Sequence, residues 1–479
     1  MRAHPAGPRH GDVSTSPAIP IAPIDAVQLG ELAADVWPIT AQRSLKGVMH
    51  VGGVDVRDLA AEFQTPLFVW DLDYFRSRLA AFATAFADAG PGPTVFYAAK
   101  AFLAGLAVRE VSAAGLGIDV CTGGELTLAL RAGADPANLM FHGNNKSASE
   151  LTQALDAGVG RFVIDSFEEL VRLAALAEDR GIKARVLIRV TVGVEAHTHE
   201  FIATAHEDQK FGFSLAGGNA AEAVRRVLGL DSLELVGLHS HIGSQIFDAD
   251  GFEVAAHRVV ELLEDVRDEH GVELAELDLG GGMGIAYVAD DDPLQVEDLA
   301  DRLRAIVQRE TASRGLALPR ILVEPGRAIV GPTMVTLYEV GTVKSIDLGG
   351  GHSRTYISVD GGMSDNIRTA LYDADYTVTL ASRAPTVPAT LARVVGKHCE
   401  SGDIVVRDAW LPADVVPSDL LAVAATGAYC RAMASTYNLV PRPAVVAVSA
   451  GTTRLVLRRE SVDDLLALDV ELFTGPDAS

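Results

Sequence analysis

Cysteine is scarce in this sequence, and apolar segments of the kind that export or anchor a chain are missing. The three cysteines, Cys121, Cys399 and Cys430, are too few for a disulfide framework and lack the spacing of a zinc site. The first twenty residues contain no apolar core of a secretory signal, and no apolar run has the length of a membrane span. These absences predict a cytoplasmic protein with reduced thiols.

Basic residues are also fewer than acidic residues. The sequence has 40 Lys and Arg against 64 Asp and Glu, so its formal net charge is −24. A chain this acidic repels phosphate backbones and anionic lipids, which argues against a nucleic-acid-binding or membrane-surface protein. Any anionic ligand must therefore be held by a few local arginines or lysines. The length of 479 residues, with 48% hydrophobic residues, predicts two or three folded domains.

Short apolar runs alternate with helical patterns through the middle of the chain. The intervening segments carry apolar residues at helical spacing, as Val259, Leu262 and Val266 do. This alternation predicts a (β/α)8 barrel of parallel strands. An open doubly wound sheet is the alternative, but the number of strands favours the barrel. The eight apolar runs begin at Thr94, Leu116, Asn138, Arg161, Ala184, Glu234, Glu276 and Arg320.

Changes in composition predict the domain boundaries. Residues 1–24 are rich in Pro, Ala and Gly and are expected to form a disordered leader. Residues 25–75 contain two strand-like pieces, which we expect to pack with the β-rich end of the chain. The barrel is predicted over 76–332. Residues 333–479 carry short β-type runs separated by Gly, Pro and Asp, which predict a mainly antiparallel β domain.

Several reactive residue types follow the predicted barrel strands, and active sites of such barrels lie at the carboxyl ends of the strands. Lys100 ends the first strand, where an apolar barrel mouth would disfavour its ammonium form and favour imine chemistry. A lysine that reaches to the surface is an equal alternative. His241 follows the sixth strand in GLHSHIGSQI and precedes a small-residue turn containing Ser244. The two histidines of the motif could bind a metal or a phosphate, and the turn suits an anion beside a flat ring, although a packed core histidine remains possible for either of them.

Two further turns follow the seventh and eighth strands. The glycines of LDLGGGMG, including Gly281 and Gly282, allow backbone to approach phosphate oxygens, but glycine runs also form plain turns. They do not have the spacing of a dinucleotide-binding fingerprint. In EPGR, Glu324 can keep a proton on a ring nitrogen and Arg327 can bind an oxyanion. A surface ion pair is the alternative interpretation of Glu324 and Arg327.

The β-rich end contains a second set of candidates. Arg368 and Tyr372 are four residues apart and share one face if the segment is helical. Cys399 lies in KHCESGD, next to Glu400. The polar neighbours of the thiol favour a partly exposed, reactive cysteine over a buried structural one. Tyr429 ends the motif ATGAY.

Taken together, the motifs and their order resemble the fold-type III pyridoxal-phosphate-dependent decarboxylases, and within them the diaminopimelate decarboxylase branch. The resemblance extends from about Asp55 to Val470. It implies pyridoxal 5'-phosphate (PLP) as cofactor, and a PLP-binding barrel joined to a β domain of alanine-racemase-like or β-sandwich type. The motifs are YAAKA, DVCTGGEL, FHGNNKS, VGVEAHTHEFI, QKFGF, HSHIGSQ, DLGGGMGI, EPGRAI, DGGMSDNIR, ALY, CESGD and ATGAY.

The resemblance also implies roles for individual residues. Lys100 matches the lysine to which PLP is attached, His241 the imidazole stacked on the ring, and Glu324 the carboxylate at the ring nitrogen. Cys399 matches the proton donor and Glu400 a ligand of the distal ammonium of the substrate. The matches to the cofactor pocket and its edge are Ser244, Gly281, Gly282, Gly326, Arg327 and Tyr429, and the matches to substrate contacts are Arg327, Arg368, Tyr372, Glu400 and Tyr429.

The activity implied by the resemblance is decarboxylation of meso-2,6-diaminopimelate to L-lysine and CO2, the last step of lysine biosynthesis. In the family, the counterparts of Cys399 and Glu400 come from the partner subunit, so a homodimer with shared active sites is expected. The His-rich stretch at 194–201 has no metal role in the family, and we expect no metal site here.

Three other functions fit parts of the pattern. A decarboxylase of another basic amino acid or of a polyamine precursor is the main alternative, but its substrate would not need Arg368 and Tyr372. An alanine racemase of this fold would place an arginine where Glu324 stands. A regulatory or PLP-carrier protein without activity would be expected to lack Lys100 or Cys399, and both are present.

Overall fold

The computed structural model describes residues 24–193, 210–248, 250–349 and 352–473, which form two compact units. One unit comprises residues 76–285 and 292–329, and the other comprises 1–75, 286–291 and 330–479, each within the described ranges. The expected leader, apart from Ile24, and the His-rich stretch at 194–201 lie outside the described residues. None of the helices in the described ranges is long and apolar enough to cross a membrane.

The chain begins with short elements that precede the barrel. Asp55 accepts a hydrogen bond from the backbone N–H of Arg57, and this N-cap starts the first helix. A strand with the sequence LFVWD follows this helix. Its five residues are all buried, as such an apolar run predicts for a central strand. The elements are β1 Gln42–Arg43, β2 Met49–Val51, β3 Val54–Asp55, α1 Val56–Phe63, β4 Leu67–Asp71 and α2 Leu72–Ala85.

All eight predicted barrel strands are present, and a ninth short strand extends the sheet. The strands are β5 Phe96–Ala98, β6 Gly117–Val120, β7 Leu139–Phe141, β8 Arg161–Ile164, β9 Ala184–Thr191, β10 Phe213–Ser214, β11 Leu233–Ser240, β12 Glu276–Asp278 and β13 Arg320–Leu322. The helices are α3 Gly105–Ala113, α4 Gly123–Arg131, α5 Ala148–Ala157, α6 Phe167–Asp179, α7 Asn219–Leu228, α8 Asp250–His270, α9 Val296–Ser313 and α10 Arg327–Val330.

The sheet closes on itself. Its parallel order is β13-β12-β11-β9-β8-β7-β6-β5, and β10 pairs with β9. A parallel bridge between Val95 and Val323 joins the two ends, with Phe96 N–H donating to the Val323 carbonyl at 2.8 Å. Inward side chains such as Met140 and Leu187 fill the interior. The predicted (β/α)8 barrel is therefore confirmed, and the open-sheet alternative is wrong.

A buried ion pair lies inside the barrel at the amino ends of its strands. Arg161, at the start of β8, donates to both carboxylate oxygens of Glu276, at the start of β12, at 2.7 and 2.6 Å. The guanidinium also lies 5.4 Å from the centre of the Phe96 ring. Both charged side chains are almost fully buried. Arg185 Nη2, from a half-exposed side chain, also donates to Glu276 Oε1 at 3.3 Å. Arg161 is thus the buried, bidentate partner of Glu276, and Arg185 is a longer second contact.

We expect Arg161→Ala to destabilise the protein by about 3–5 kcal/mol, because it leaves the Glu276 carboxylate buried without its bidentate partner. Urea unfolding followed by circular dichroism measures the change. The double substitution Arg161→Met with Glu276→Leu removes both charges and should cost less than Arg161→Ala alone. Equal losses in the two variants would show that packing, and not the stranded charge, sets the cost.

The second unit contains a mixed sheet that is mainly antiparallel. Among the described residues its order is β18-β17-β15-β14-β4-β20-β21, with β19 paired to β14 and β16 paired to β19. Two pairings are parallel, β4 with β20 and β15 with β17. The elements are β14 Met334–Gly349, β15 His352–Val359, α11 Arg368–Tyr372, β16 Val378–Leu380, β17 Ala389–Val395, β18 Ile404–Pro412, β19 Leu420–Val423, β20 Ala444–Ser449, β21 Thr452–Leu457, α12 Val462–Leu466 and α13 Val470–Phe473.

The N-terminal strand β4 is a central strand of this sheet. It pairs antiparallel with β14, where Leu67 is opposite Leu337, and parallel with β20, where Leu67 is opposite Ala444. Leu67, Leu337 and Ala444 belong to one buried apolar cluster, which Val36 and Trp37 join from the chain segment before β1. The first and last parts of the chain thus share one core.

Candidate active site

Lys100 lies on a short turn that directly follows β5. Its Nζ is 2.5 Å from Asp119 Oδ2, and Asp119 is fully buried in β6. The lysine side chain is 44% exposed. The side chain is thus not fully enclosed, and the amine form expected from an apolar barrel mouth stays a prediction. The amine is accessible at the carboxyl end of the barrel.

Glu324 follows β13 and is buried against two imidazoles. His142, directly after β7, places Nε2 2.6 Å from Glu324 Oε1. His239, in β11, places Nε2 3.4 Å from the same oxygen. The two imidazole rings meet edge to face, with centres 5.0 Å apart. In the described part of the chain, no N–H is aligned with Glu324 Oε1 for a regular hydrogen bond. Burial lowers the pKa of His239 to about 4, so this imidazole is neutral near pH 7.

In this cluster the pKa values of two carboxyl groups are shifted in opposite directions. Burial raises the pKa of Glu324, but its contacts with His142 and His239 outweigh burial and hold the pKa well below its usual range. Asp278, at the end of β12, has its pKa raised well above the usual range by burial and by the charge of Glu324. Asp278 therefore binds a proton more readily than Glu324 does.

His241 immediately follows β11 and is solvent-accessible at the carboxyl end of the barrel. Desolvation lowers the pKa of His241, and the positive charge of Arg189 lowers it further. The ring is therefore neutral at physiological pH. A neutral, accessible imidazole can stack on a flat aromatic ligand.

The glycine turn after β12 brings three loops into close contact. A Cβ on Gly281 would lie 2.4 Å from the carbonyl oxygen of Glu324. Gly282 has a φ of +111°, and a Cβ there would lie 2.4 Å from the carbonyl oxygen of Gly243. Only glycine fits these two positions. The turn is thus fixed against the segments that carry Glu324 and Ser244.

Arg327 and Ser244 form a candidate anion site at the same end of the barrel. Arg327 Nη2 donates to Ser244 Oγ at 2.8 Å. Ser244 precedes Gln245, which has a left-handed φ of +62°. The adjacent Gly326 packs against Ala98 and Ala101, which flank Lys100, because a Cβ there would lie 2.9 Å from each of their β-carbons. Gly326, the residue before Arg327, is therefore a neighbour of the turn that carries Lys100.

These residues fit PLP. Its aldehyde needs an accessible amine, its ring nitrogen a carboxylate, and its phosphate an arginine with hydroxyl and backbone donors. Lys100 offers the amine, and buried Glu324 offers an oxygen without an aligned donor among the described residues. Arg327 and Ser244 offer the anion contacts. His142, His239 and Glu324 also have ligand atoms within 4.8 Å of one another, a spacing that suits a metal ion as well.

In the second unit, Arg368 lies in an aromatic pocket. It starts α11, is 7% exposed, and donates from Nη1 to the Tyr376 hydroxyl at 2.7 Å. The guanidinium carbon lies 4.7 Å from the centre of the Tyr287 ring. Neutral tyrosines surround the guanidinium without cancelling its charge, so the group remains able to bind a carboxylate.

The structure does not bring all the predicted substrate residues together. Tyr372 ends the same short helix as Arg368 but is 61% exposed, so the two side chains have different surroundings within one chain. Tyr429 has a φ of +61°, a backbone conformation that non-glycine residues rarely adopt outside functional positions.

Cys399 and Glu400 lie on an exposed loop after β17. Buried His398 anchors this loop: its Nε2 is 2.8 Å from Ser364 Oγ, and its backbone N–H donates to Asp403 at 2.7 Å. Glu400 borders a cavity of about 750 Å³ that is also lined by Met363, Ile367, Leu371, Arg407 and Tyr437. The thiol and the carboxylate thus face outward from their own unit on a fixed loop.

Sequence reasoning missed four residues of these sites. Asp119 is a charged residue within the apolar run LGIDV, and His142 directly follows a strand in FHGNN. Both positions could have marked these residues as candidates. For His239, the sequence analysis left a metal, an anion and core packing open and gave a role only to its neighbour His241. Tyr376 carries no signal in its flanking residues.

Comparisons with known proteins agree with this site. Residues 72–331 match the family described as "Pyridoxal-dependent decarboxylase, pyridoxal binding domain". The diaminopimelate decarboxylase of Mycobacterium leprae is 56% identical over 98% of this chain and all of its own length. That of Bacillus subtilis is 42% identical over 91% of this chain and 98% of its own.

A crystal structure of diaminopimelate decarboxylase from M. jannaschii with L-lysine superposes with a TM-score of 0.83 at 30% identity. The match covers 90% of this chain and 98% of that one. A lysine/ornithine decarboxylase from Vibrio vulnificus shares the fold at a TM-score of 0.68. The family match covers more than half of the chain, and the M. leprae relative matches along its full length. The chain therefore belongs to the fold-type III pyridoxal-phosphate-dependent decarboxylases, in their diaminopimelate decarboxylase branch.

Proposed function

We propose that the protein decarboxylates meso-2,6-diaminopimelate to L-lysine and CO2 with PLP, as the last step of lysine biosynthesis. The observation that carries this proposal is the convergence of Lys100, Glu324 and the Arg327–Ser244 pair at the carboxyl ends of one barrel. The choice of substrate rests on the named activity of relatives that match along their whole length.

Each barrel residue has a distinct task in this proposal. PLP, when bound, supplies an electron sink for the carbanion that loss of CO2 leaves behind. Lys100 would provide the amine to which the cofactor is attached. The Glu324 carboxylate would hold a proton on the ring nitrogen, and His241 would cover a ring face. Arg327 and Ser244 bind anionic oxygens at the pocket edge.

The second unit provides groups for the far end of the substrate. Diaminopimelate carries an ammonium and a carboxylate there, and Glu400 and Arg368 have the complementary charges. Anchoring this end fixes the orientation of the scissile carboxylate, which is a positioning task. The Cys399 thiol can return a proton to the carbon that loses CO2. Tyr372 and Tyr429 complete the proposed substrate contacts.

Cys399 and Glu400 are proposed to act in the site of a partner subunit. Support comes from the loop itself, which is anchored by His398 but exposes Cys399. A two-fold homodimer would then form two equal sites, each from two chains. The three free cysteines and the acidic surface are consistent with a cytoplasmic enzyme that binds neither nucleic acid nor membrane.

Release of CO2 tests the function directly. Purified protein with PLP is incubated separately with meso-diaminopimelate, lysine, ornithine and arginine, and CO2 and the amine product are measured. We expect turnover of meso-diaminopimelate only. Preferred turnover of ornithine, lysine or arginine would instead establish the alternative, a decarboxylase of another basic amino acid.

Arg368→Ala should chiefly weaken substrate binding while leaving PLP in place. The substitution leaves the distal carboxylate without its buried charge partner, so kcat/KM should fall by an amount equivalent to about 2–5 kcal/mol. The loss should be mainly in KM. Steady-state kinetics and the PLP content of the purified variant measure the two effects.

Arg454→Ala is the matched control, because Arg454 is exposed on β21. Its kinetic constants should equal those of the wild type. If Arg368→Ala also keeps both KM and kcat, Arg368 has only a structural role among its tyrosines.

A further inference from the structure

We propose that His142 is a positioning residue that holds the Glu324 carboxylate in place for the cofactor ring nitrogen, with His239 as the second imidazole of this clamp. The proposal rests on the proposed function, because it assumes that Glu324 contacts that nitrogen.

The geometry makes Glu324 the centre of the cluster. His142 and His239 approach the same oxygen, Oε1, from different strands, at 2.6 and 3.4 Å. Their edge-to-face contact fixes each ring against the other. All three residues are 5% exposed or less. Their positions are therefore set by the barrel, and the carboxylate has little freedom to turn away.

The surrounding carboxyl groups give the clamp its purpose. Three buried carboxyl groups, Asp119, Asp278 and Glu324, lie on or directly after strands β6, β12 and β13. Like charges in a buried site repel one another. The two imidazoles oppose this repulsion by contacting Glu324 at Oε1, and so hold the carboxylate where the ring nitrogen would meet it.

His142 also has a second carboxylate within reach. Its Nε2 is 3.9 Å from Asp119 Oδ1, and Asp119 Oδ2 contacts Lys100. A chain of contacts therefore runs from Glu324 through His142 and Asp119 to the Lys100 amine. The same imidazole thus lies between the group for the ring nitrogen and the partner of the amine that attaches the cofactor.

Two cofactors that differ at one atom provide the test. Apparent dissociation constants are measured for PLP and for 1-deazapyridoxal phosphate, in which a C–H replaces the ring nitrogen. EDTA is present throughout, so that no divalent cation occupies the cluster. The ratio of the two constants reports only on the interaction at the ring nitrogen. We expect His142→Leu to reduce the preference for PLP about tenfold or more, because Glu324 loses the contact that fixes its position.

Conservative and control variants define the role. His142→Gln keeps an N–H near the position of Nε2 and should retain the preference within about threefold. His257→Leu is the matched control, because His257 also pairs with a glutamate, Glu310 at 2.8 Å, but on the exposed surface of α8. It should leave the preference unchanged. In the Glu324→Gln background, His142→Leu should have no further effect on the preference.

Two outcomes would overturn the proposal. His142→Leu could weaken the binding of both cofactors by the same factor, which would assign His142 to packing alone. His142→Leu could also keep its full effect in the Glu324→Gln background, which would show that it acts by another route. Neither outcome touches the proposed function, which fails separately if the wild type binds PLP but releases no CO2 from meso-diaminopimelate.

Discussion

Lys100→Ala should abolish the visible absorption of bound PLP and nearly all turnover. The visible band arises from the covalent link between cofactor and lysine, and exchange of that link for the substrate amine also needs a lysine amine. The structure supports this choice, because Lys100 is accessible at the carboxyl end of the barrel and is held by Asp119. Absorption spectra and CO2 release of the purified variant measure both losses.

Two other lysines serve as comparisons for this prediction. Lys183→Ala is the control, since Lys183 is exposed before β9 and should not affect the spectrum or the rate. Lys146 is the competing candidate in the barrel. Its side chain is fully buried and its Nζ contacts Glu169 at 2.7 Å, so we assign it a structural role. A Lys100→Ala protein that keeps the visible band without added amine would show that another lysine binds the cofactor.

Mixing two inactive variants should restore activity. Lys100→Ala and Cys399→Ala homodimers should each be nearly inactive, because each lacks one group of the proposed site. After joint unfolding and refolding, random pairing makes about half of the dimers mixed. In a mixed dimer, one site lacks both groups and the other has both. Activity should therefore return to roughly a quarter of the wild-type value if the sites are independent.

The result separates two arrangements of the site. A site formed within one chain would gain nothing from mixing, since every chain carries one lesion. Differently tagged chains confirm that mixed dimers have formed. If tagged mixed dimers are present and inactive, the shared-site proposal is wrong, and Cys399 acts within its own chain or not at all. Mixing Lys100→Ala with an Arg327→Ala chain is a control, because both lesions lie in the barrel and should not complement.

The barrel could be predicted from the sequence because each strand corresponds to an apolar run of its own. Runs such as LMF in β7 are continuously apolar and are buried throughout. Residues at strand ends were predictable for the same reason, since parallel strands bring their carboxyl ends to one rim. Lys100, His241 and Glu324 all follow strands in this way.

The remaining features depend on distant contacts. Glu324 is contacted by His142, directly after β7, and by His239 in β11, and no local pattern connects the three. Tyr376 contacts Arg368 from beyond the end of α11. The parallel pairing of β4 with β20 joins segments from opposite ends of the chain, so its direction could not be read from either segment. The exposure of Lys100 depends on the shape of the barrel mouth rather than on the apolar residues beside it.

The place of β4 in the second sheet has a consequence for biosynthesis. The ribosome delivers β4 early, but its neighbour β14 comes only after all the barrel strands, and β20 comes close to the end of translation. Domains form as their residues emerge, so the barrel can fold while β4 still lacks both partners. A nascent strand with two unpaired edges can pair with other chains. Premature termination before β20 would leave one of these edges permanently open, so incomplete chains carry a built-in tendency to aggregate.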